Sequence, residues 1–315
     1  MTLVTHADVA AAHRAISGRV RRTPMMRSTQ LSDRFGCDLH FKLELFQKTG
    51  SFKVRGALNR MLHLTDDERR RGVVTVSAGN HAQAVAWAAR EVCTKATIVM
   101  YANAVRSKVE ATKGYGGDVI QSGRDLIEVA NELIAERGFV MVHPFDDPAV
   151  IAGAGTVGDE IMDDVSDADV VLVGVGGGGI VSGVAVAVKA SRPEARVIGV
   201  EPEGAAAMRL SLDRGSPQKL AKLETIADGL AAPWAGVLNF EHIRDLGVEI
   251  VTIPEAPIAE AMWLIMERCK VVAEPAAAVG LAALLCGAVT VEKGSKVVCL
   301  LTGGNVARDR LKELA

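Results

Sequence analysis

From residue 72 onward, short apolar runs alternate with stretches in which apolar residues recur every three or four positions. That rhythm predicts strands over 73–76, 96–100, 118–121 and 139–142, with helices over 82–89, 105–113 and 126–136 between them. In the last of these helices Leu126, Val129, Ala130 and Leu133 share one face, and Gly138 is the stop signal. A second series places strands over 170–175, 197–200 and 296–301, and helices over 180–190, 258–269 and 275–285. Ahead of both series, 39–43 reads as a strand and a helix opens at Ser51. Apolar strands separated by helices predict an α/β fold, doubly wound, with mostly parallel sheets covered on both faces. No repeat or low-complexity linker interrupts the chain. The expected organisation is therefore a smaller domain over 72–147, inserted into a larger one formed by 1–71 and 148–315.

Composition narrows the class. The formal net charge is −2 and basic residues are scattered, which argues against nucleic acid or an anionic membrane as partner. The densest basic run, Arg69 to Arg71, follows Asp66, Asp67 and Glu68, as at the end of a short solvated helix. Residues 170–188 carry no charge, but four consecutive glycines at their centre indicate strand, turn and helix instead of a membrane span. The five cysteines are odd in number and lack zinc-ligand spacing, which suits free thiols in a reducing cytoplasm. Residues 1–14 lack the basic and apolar blocks of a signal peptide.

Two segments carry chemistry. Gly174, Gly176 and Gly179 fit the dinucleotide fingerprint G-x-G-x-x-G between a strand and a helix, with Glu201 at the distance of a ribose-binding acid. The same glycines fit a single phosphate enclosed by bare backbone N–H groups. Lys53 lies two residues after Ser51, a good helix N-cap, so its ammonium opposes the helix dipole and is pushed toward the neutral amine that a Schiff-base lysine requires. An ordinary surface lysine at a helix start would show the same spacing.

The string Ser51-Phe52-Lys53-Val54-Arg55-Gly56-Ala57 resembles the cofactor-lysine motif of fold type II pyridoxal-phosphate enzymes, in their threonine dehydratase and serine racemase branch. Seven further strings agree in the same order: Ser77-Ala78-Gly79-Asn80-His81-Ala82-Gln83, His143-Pro144-Phe145-Asp146-Asp147, Gly153-Ala154-Gly155-Thr156, Gly176 to Gly179, Thr225-Ile226-Ala227-Asp228-Gly229, Glu274-Pro275-Ala276 and Thr302-Gly303-Gly304-Asn305. A dinucleotide site accounts for one of these strings. The resemblance implies pyridoxal 5'-phosphate as cofactor, carried by Lys53, which later moves the substrate's Cα proton. It places Phe52 beside the ring, Asn80 on the 3′-hydroxyl, Gly176, Gly177, Gly178 and Gly179 on the phosphate, and Thr302 at the pyridine nitrogen. Glu274 is expected near the cofactor. Ser77, Ala78, Gly79, Asn80 and His81 form the loop that clamps the substrate carboxylate. The implied reaction is β-elimination from an L-β-hydroxy amino acid: L-threonine, or L-serine, gives a 2-oxo acid and ammonia. Family members are usually homodimers or homotetramers.

Departures from the pattern refine this. Racemases of the branch place a serine where Ala78 stands, so the second acid/base is missing and a dehydratase is expected. Phe145 points the same way. The relatives' divalent-cation pair would fall on Glu201 and Ala207, and losing one hard oxygen ligand predicts no tight metal. Stretches 99–105 and 231–234 are atypical, which leaves the substrate's β-substituent open between threonine, serine and a bulkier analogue such as 3-hydroxyaspartate. No extension follows Ala315 that could form an amino-acid-sensing domain, so isoleucine feedback is not expected. His81 and His143 are read as structural, Trp87 and Trp263 as helical core, and Met25 and Met26 as packing.

Overall fold

The computed structural model describes residues 2–314. Six strands form one sheet: β1 (Met25–Arg27), β2 (Asp38–Leu43), β7 (Val170–Gly174), β8 (Arg196–Pro202), β9 (Glu249–Ile253) and β10 (Lys296–Leu301), in the order β1-β2-β10-β7-β8-β9. Only the β1–β2 pairing is antiparallel. A second, all-parallel sheet uses β3 (Val73–Val76), β4 (Ala96–Tyr101), β5 (Asp118–Ser122) and β6 (Val140–Met141), in the order β5-β4-β3-β6. The apolar strand runs are buried on both faces, as parallel sheets wrapped by helices require.

The topology itself points to a site. In the large sheet the chain leaves β7 toward β8 on one side and returns as β10 on the other. In the small sheet it leaves β3 toward β4 and returns as β6. Ligands of open α/β sheets lie beyond the carboxyl ends of the strands at such reversals. The segments at these four ends are 175–179, 302–305, 77–81 and 142–147, which hold all or part of four of the motifs singled out above.

Most predicted elements match within two residues. The helix over 126–136 is Leu126–Arg137, started by Asp125, whose carboxylate accepts from Ile127 and Glu128 N–H, and ended by Gly138 in the left-handed conformation. The uncharged stretch 170–188 resolves into β7, the glycine turn and the helix Gly179–Ser191. Among the described residues, no helix is long and apolar enough to cross a membrane.

Among the elements the pattern misses are the helices His6–Ile16 and Pro148–Asp164, and strand β9. The second helix contains Gly153, Gly155 and Gly158, which weaken helix propensity. These glycines let backbones touch. A Cβ on Gly153 would lie 2.6 Å from the Arg55 carbonyl, and one on Gly183 would lie 2.4 Å from the Ile151 carbonyl. The helix Pro148–Asp164 is thus wedged between the Lys53 helix and the helix that follows the four glycines. The Gly153–Thr156 string works in packing.

Candidate active site

Lys53 is the first residue of the helix Lys53–Leu62, and its N-cap is Phe52 in helical conformation. Ser51 is therefore not the N-cap. Its backbone forms an antiparallel bridge with Gly303, and its hydroxyl is buried without a hydrogen-bond partner. Tertiary pairing has overridden the local capping rule. The bridge holds the Lys53 turn against the end of β10, where Phe52 N–H also donates to the Thr302 carbonyl at 3.0 Å. Thr302 itself is buried.

The Lys53 ammonium donates to the Pro144 carbonyl at 2.7 Å and lies 5.1 Å from the centre of the Phe52 ring. Enclosure by protein pulls its pKa from 10.5 to about 8, against the opposing pull of Glu274. Desolvation, more than the helix dipole, produces the reactive amine. The surface-lysine reading fails here.

Pro144 also ties the lysine to the glycine turn. The next residue, Phe145, lays its ring on Gly177, where a Cβ would fall 2.3 Å from ring carbons. Its carbonyl, and that of Gly177, accept from the buried Asn239 amide at 3.1 and 3.0 Å. Gly178, at φ +99°, is the N-cap of the helix Gly179–Ser191, and a Cβ there would meet Asn239 at 2.7 Å. Gly176 to Gly179 thus form a cradle free of side chains at the N-terminus of a 13-residue helix, suited to a phosphate. His143 and Trp234 flank Phe145, with ring centres 4.7 and 6.3 Å away. Trp234 belongs to one of the two atypical stretches.

From this follows an expected result. Gly177→Ala must displace the Phe145 ring and should weaken cofactor binding roughly 5- to 100-fold, as overpacking of about 1–3 kcal/mol implies. Gly176→Ala should do less, since its Cβ would come no closer than 3.2 Å to Leu230. Fluorescence titration with the cofactor checks both; equal affinities for Gly177→Ala and the wild type would contradict the cradle.

The clamp loop follows β3. Gly79 N–H donates to the Ser77 hydroxyl at 3.2 Å, and Asn80 and His81 open the helix Asn80–Glu91. Ala78 is partly buried. His81 donates from Nε2 to the Val142 carbonyl at 3.1 Å, which leaves Nδ1 a buried acceptor without a partner. Burial, with Lys53 nearby, lowers its pKa to about 3, so His81 stays neutral. His143 accepts Phe145 and Asp146 N–H at the end of β6, a structural use.

Asn80 and Glu274 meet: the Asn80 amide donates to Glu274 Oε1 at 2.7 Å. Burial raises the Glu274 carboxyl to about 7, opposed by that hydrogen bond. Both also bond Asn305, through the Asn305 amide to Asn80 Oδ1 at 2.8 Å and Asn305 N–H to Glu274 Oε2 at 3.2 Å. Lys53, Asn80, Glu274, Thr302 and the glycine turn are in this way brought to one place by Pro144, Phe145, Asn239 and Asn305. Sequence reasoning gave Pro144, Asn239 and Asn305 no role and took Phe145 only as a mark of dehydratases, although three of the four lie in the quoted strings.

Glu201 lies elsewhere. Its carboxylate is fully buried and accepts Met208 and Arg209 N–H at 2.9 and 2.8 Å, at the start of the helix Ala207–Arg214. So engaged, it cannot reach a ribose, which removes the second half of a dinucleotide site. No group of three or more metal-ligating side chains occurs among the described residues. A lysine amine held near neutrality, a side-chain-free cradle and unpartnered buried atoms on Ser51 and His81 fit an aldehyde-bearing phosphate cofactor.

Comparison with known proteins agrees. The profile of the family described as pyridoxal-phosphate dependent enzyme matches residues 16–303. The chain is 46% identical over 307 residues to an L-threonine ammonia-lyase of Thermotoga maritima, covering 96% of this chain and 76% of that one. It is 39% identical to an L-threo-3-hydroxyaspartate ammonia-lyase of Saccharomyces cerevisiae, covering 100% and 97%. The solved structure of maize serine racemase superposes with a TM-score of 0.95 at 38% identity, over 99% of this chain and 97% of that one. The chain belongs to the pyridoxal-phosphate-dependent enzymes, in the fold type II branch that holds threonine dehydratases and serine racemases.

Proposed function

We propose that this ammonia-lyase takes L-threonine, and L-serine more slowly, and releases 2-oxobutyrate or pyruvate with ammonia. The observation that carries the reading is Lys53, a lysine amine with a pKa near 8 facing a carbonyl acceptor beside a glycine cradle. Bound pyridoxal phosphate supplies the electron sink that acidifies the substrate's Cα–H bond. Lys53 would hold its aldehyde carbon, the N–H groups of Gly176 to Gly179 its phosphate, Asn80 its 3′-hydroxyl and Thr302 its ring nitrogen, with Phe52 and Glu274 alongside.

The backbone of Ser77 to His81 binds the substrate carboxylate and so turns Cα–H toward Lys53. As the free amine, Lys53 Nζ would remove the Cα proton, a transfer its pKa suits at neutral to mildly alkaline pH. The neutral His81 adds no competing charge. Ala78 has no proton to exchange, so return of a proton on the opposite face, which racemisation needs, lacks a donor at that position. Pro144 and Phe145 bridge the lysine and the cradle and limit water at the reacting atoms. The lobe over 72–147 carries the carboxylate loop, with Asn80, and the remainder carries the other cofactor groups. A homodimer or homotetramer in the cytoplasm is the assembly we propose, in line with the five free cysteines and the resemblance.

The yeast relative's name supports a second substrate, L-threo-3-hydroxyaspartate. The test is 2-oxo acid release by the cofactor-loaded protein from L- and D-threonine, L- and D-serine, 3-hydroxyaspartate and phenylserine. L-threonine is expected to have the highest kcat/KM. A preference for 3-hydroxyaspartate would replace the substrate and keep the mechanism. Racemisation of L-serine as fast as elimination would overturn the argument from Ala78.

A further inference from the structure

We infer that Asn305 sets the polarity of the Asn80 amide, so that Asn80 offers the cofactor an N–H and not a carbonyl oxygen. An asparagine amide can be turned over with little change of shape, so its donor and acceptor ends are fixed only by its partners. Here the partners form a chain with one sense. The Thr49 carbonyl can only accept, and the Asn305 side chain meets it at 2.7 Å, which makes that end of Asn305 its nitrogen. The second hydrogen of the same nitrogen points to Asn80 at 2.8 Å, which makes that end of Asn80 its oxygen. The other end of Asn80 is therefore its nitrogen, and one of its two hydrogens goes to Glu274 Oε1 at 2.7 Å. The second hydrogen has no protein acceptor among the described residues, and it is the group left for a ligand oxygen.

Asn305 is seated for this task. Its Oδ1 lies where a Cβ on Gly50 would stand, 2.5 Å away, and Gly50 has φ +74°, so the bend accepts glycine alone. Its own N–H donates to Glu274 Oε2 at 3.2 Å, which ties the acceptor of the Asn80 bond to the same residue. Asn305 is exposed, so burial did not demand that its amide be satisfied by protein. It has been fixed where solvent would have sufficed. Asn305 is thus a positioning residue that acts through Asn80, and its role rests on the proposed contact of Asn80 with the cofactor.

The experiment compares Asn305→Asp, Asn305→Ala and Asn80→Ala in the holoenzyme. The readouts are the cofactor's visible absorption maximum, its dissociation constant and the melting temperature with and without cofactor. Aspartate has the shape of asparagine without its hydrogens, so it sets oxygen against both the Thr49 and Asn80 oxygens, and Asn80 turns over, with the buried Glu274 carboxyl taking up a proton to donate to the Asn80 oxygen that then faces it. Asn305→Asp should move the absorption maximum in the same direction as Asn80→Ala and weaken cofactor binding roughly 10- to 100-fold. Asn305→Ala removes the relay without opposing it and should weaken binding less than Asn305→Asp does. The apoprotein's melting temperature should stay within about 2 °C of the wild type, as for other exposed positions. Wild-type absorption and affinity in Asn305→Asp, with both altered in Asn80→Ala, would overturn the relay. So would an apoprotein melting-temperature loss as large as that of the holoenzyme, which marks a purely structural role. An unaltered Asn80→Ala would instead remove the Asn80–cofactor contact, and the relay with it.

Discussion

Lys53→Ala is expected to lower kcat for L-threonine by at least about 10³-fold, near the upper range for loss of a positioned proton-transfer group, and to replace the absorption band of the lysine-attached cofactor with that of the unattached aldehyde. Two roles fall together in this variant: the amine that holds the aldehyde carbon and the base that takes the Cα proton. Lys53→Arg separates charge from chemistry. Arginine keeps a cation beside the Pro144 carbonyl but stays protonated at all accessible pH, so it should be as inactive as alanine. The cradle is untouched, so both variants should still bind the cofactor reversibly, at reduced affinity. Activity within tenfold of the wild type in either variant would show that another amine does the work. Absorbance spectra with stopped-time assays for 2-oxobutyrate check the prediction.

Arg55→Ala is expected to reduce stability by about 3–5 kcal/mol at pH 7, the usual loss when one partner of a buried ion pair is removed. That corresponds to roughly 6–10 °C in melting temperature. Arg55, two residues beyond Lys53, is 1% exposed and lies between two buried carboxylates. It donates to Glu44 at 2.9 and 2.8 Å, to Glu160 at 2.7 and 2.9 Å, and to Thr156 at 3.2 Å. The buried Lys42 pairs with Glu160 at 2.8 Å and balances the charge. Burial by itself raises the Glu160 carboxyl, but Arg55 and Lys42 outweigh it and hold the carboxyl below its usual range. A carboxyl lowered in the folded protein adds stability above its unfolded pKa and loses it as pH falls through the folded one. In Arg55→Ala only Lys42 is left to oppose burial at Glu160, and that carboxyl protonates at higher pH than in the wild type. The stability gap between variant and wild type should therefore narrow between pH 7 and pH 5. A gap of constant size in urea unfolding across that window would contradict this reading of the network.

The legible parts of this molecule are those whose signal is local. Alternating apolar runs marked most strands and helices, because burial on both faces of a sheet leaves a continuous imprint. The four glycines and the Lys53 string could be placed between a strand and a helix by the same imprint. Connectors were illegible for the opposite reason. The Pro144 carbonyl lies 91 positions from Lys53, Asn239 Nδ2 lies 94 from the Phe145 carbonyl and Asn305 Nδ2 lies 225 from Asn80. No periodicity relates such partners. Ser51 shows a local rule losing outright, since a sound capping residue is drawn instead into a bridge with Gly303. In the helix Pro148–Asp164, the glycines that weaken the local signal are those that permit close contact, Gly153 with the Lys53 helix and Gly155 and Gly158 with the helix Gly179–Ser191. The resemblance supplied what local physics could not, namely that strings as far apart as Ser51–Ala57 and Thr302–Asn305 belong together, as the Ser51–Gly303 bridge has them.

The central claim is that Lys53 carries the cofactor. It is tested most directly by reducing the purified holoenzyme with borohydride, which fixes the cofactor to whichever amine holds it, and mapping the digested peptides by mass spectrometry. The added phosphopyridoxyl mass should fall on the peptide containing Lys53 and on no other lysine. The same mass on Lys42, Lys48 or Lys108, or its absence from every peptide of an active preparation, would contradict the site described above.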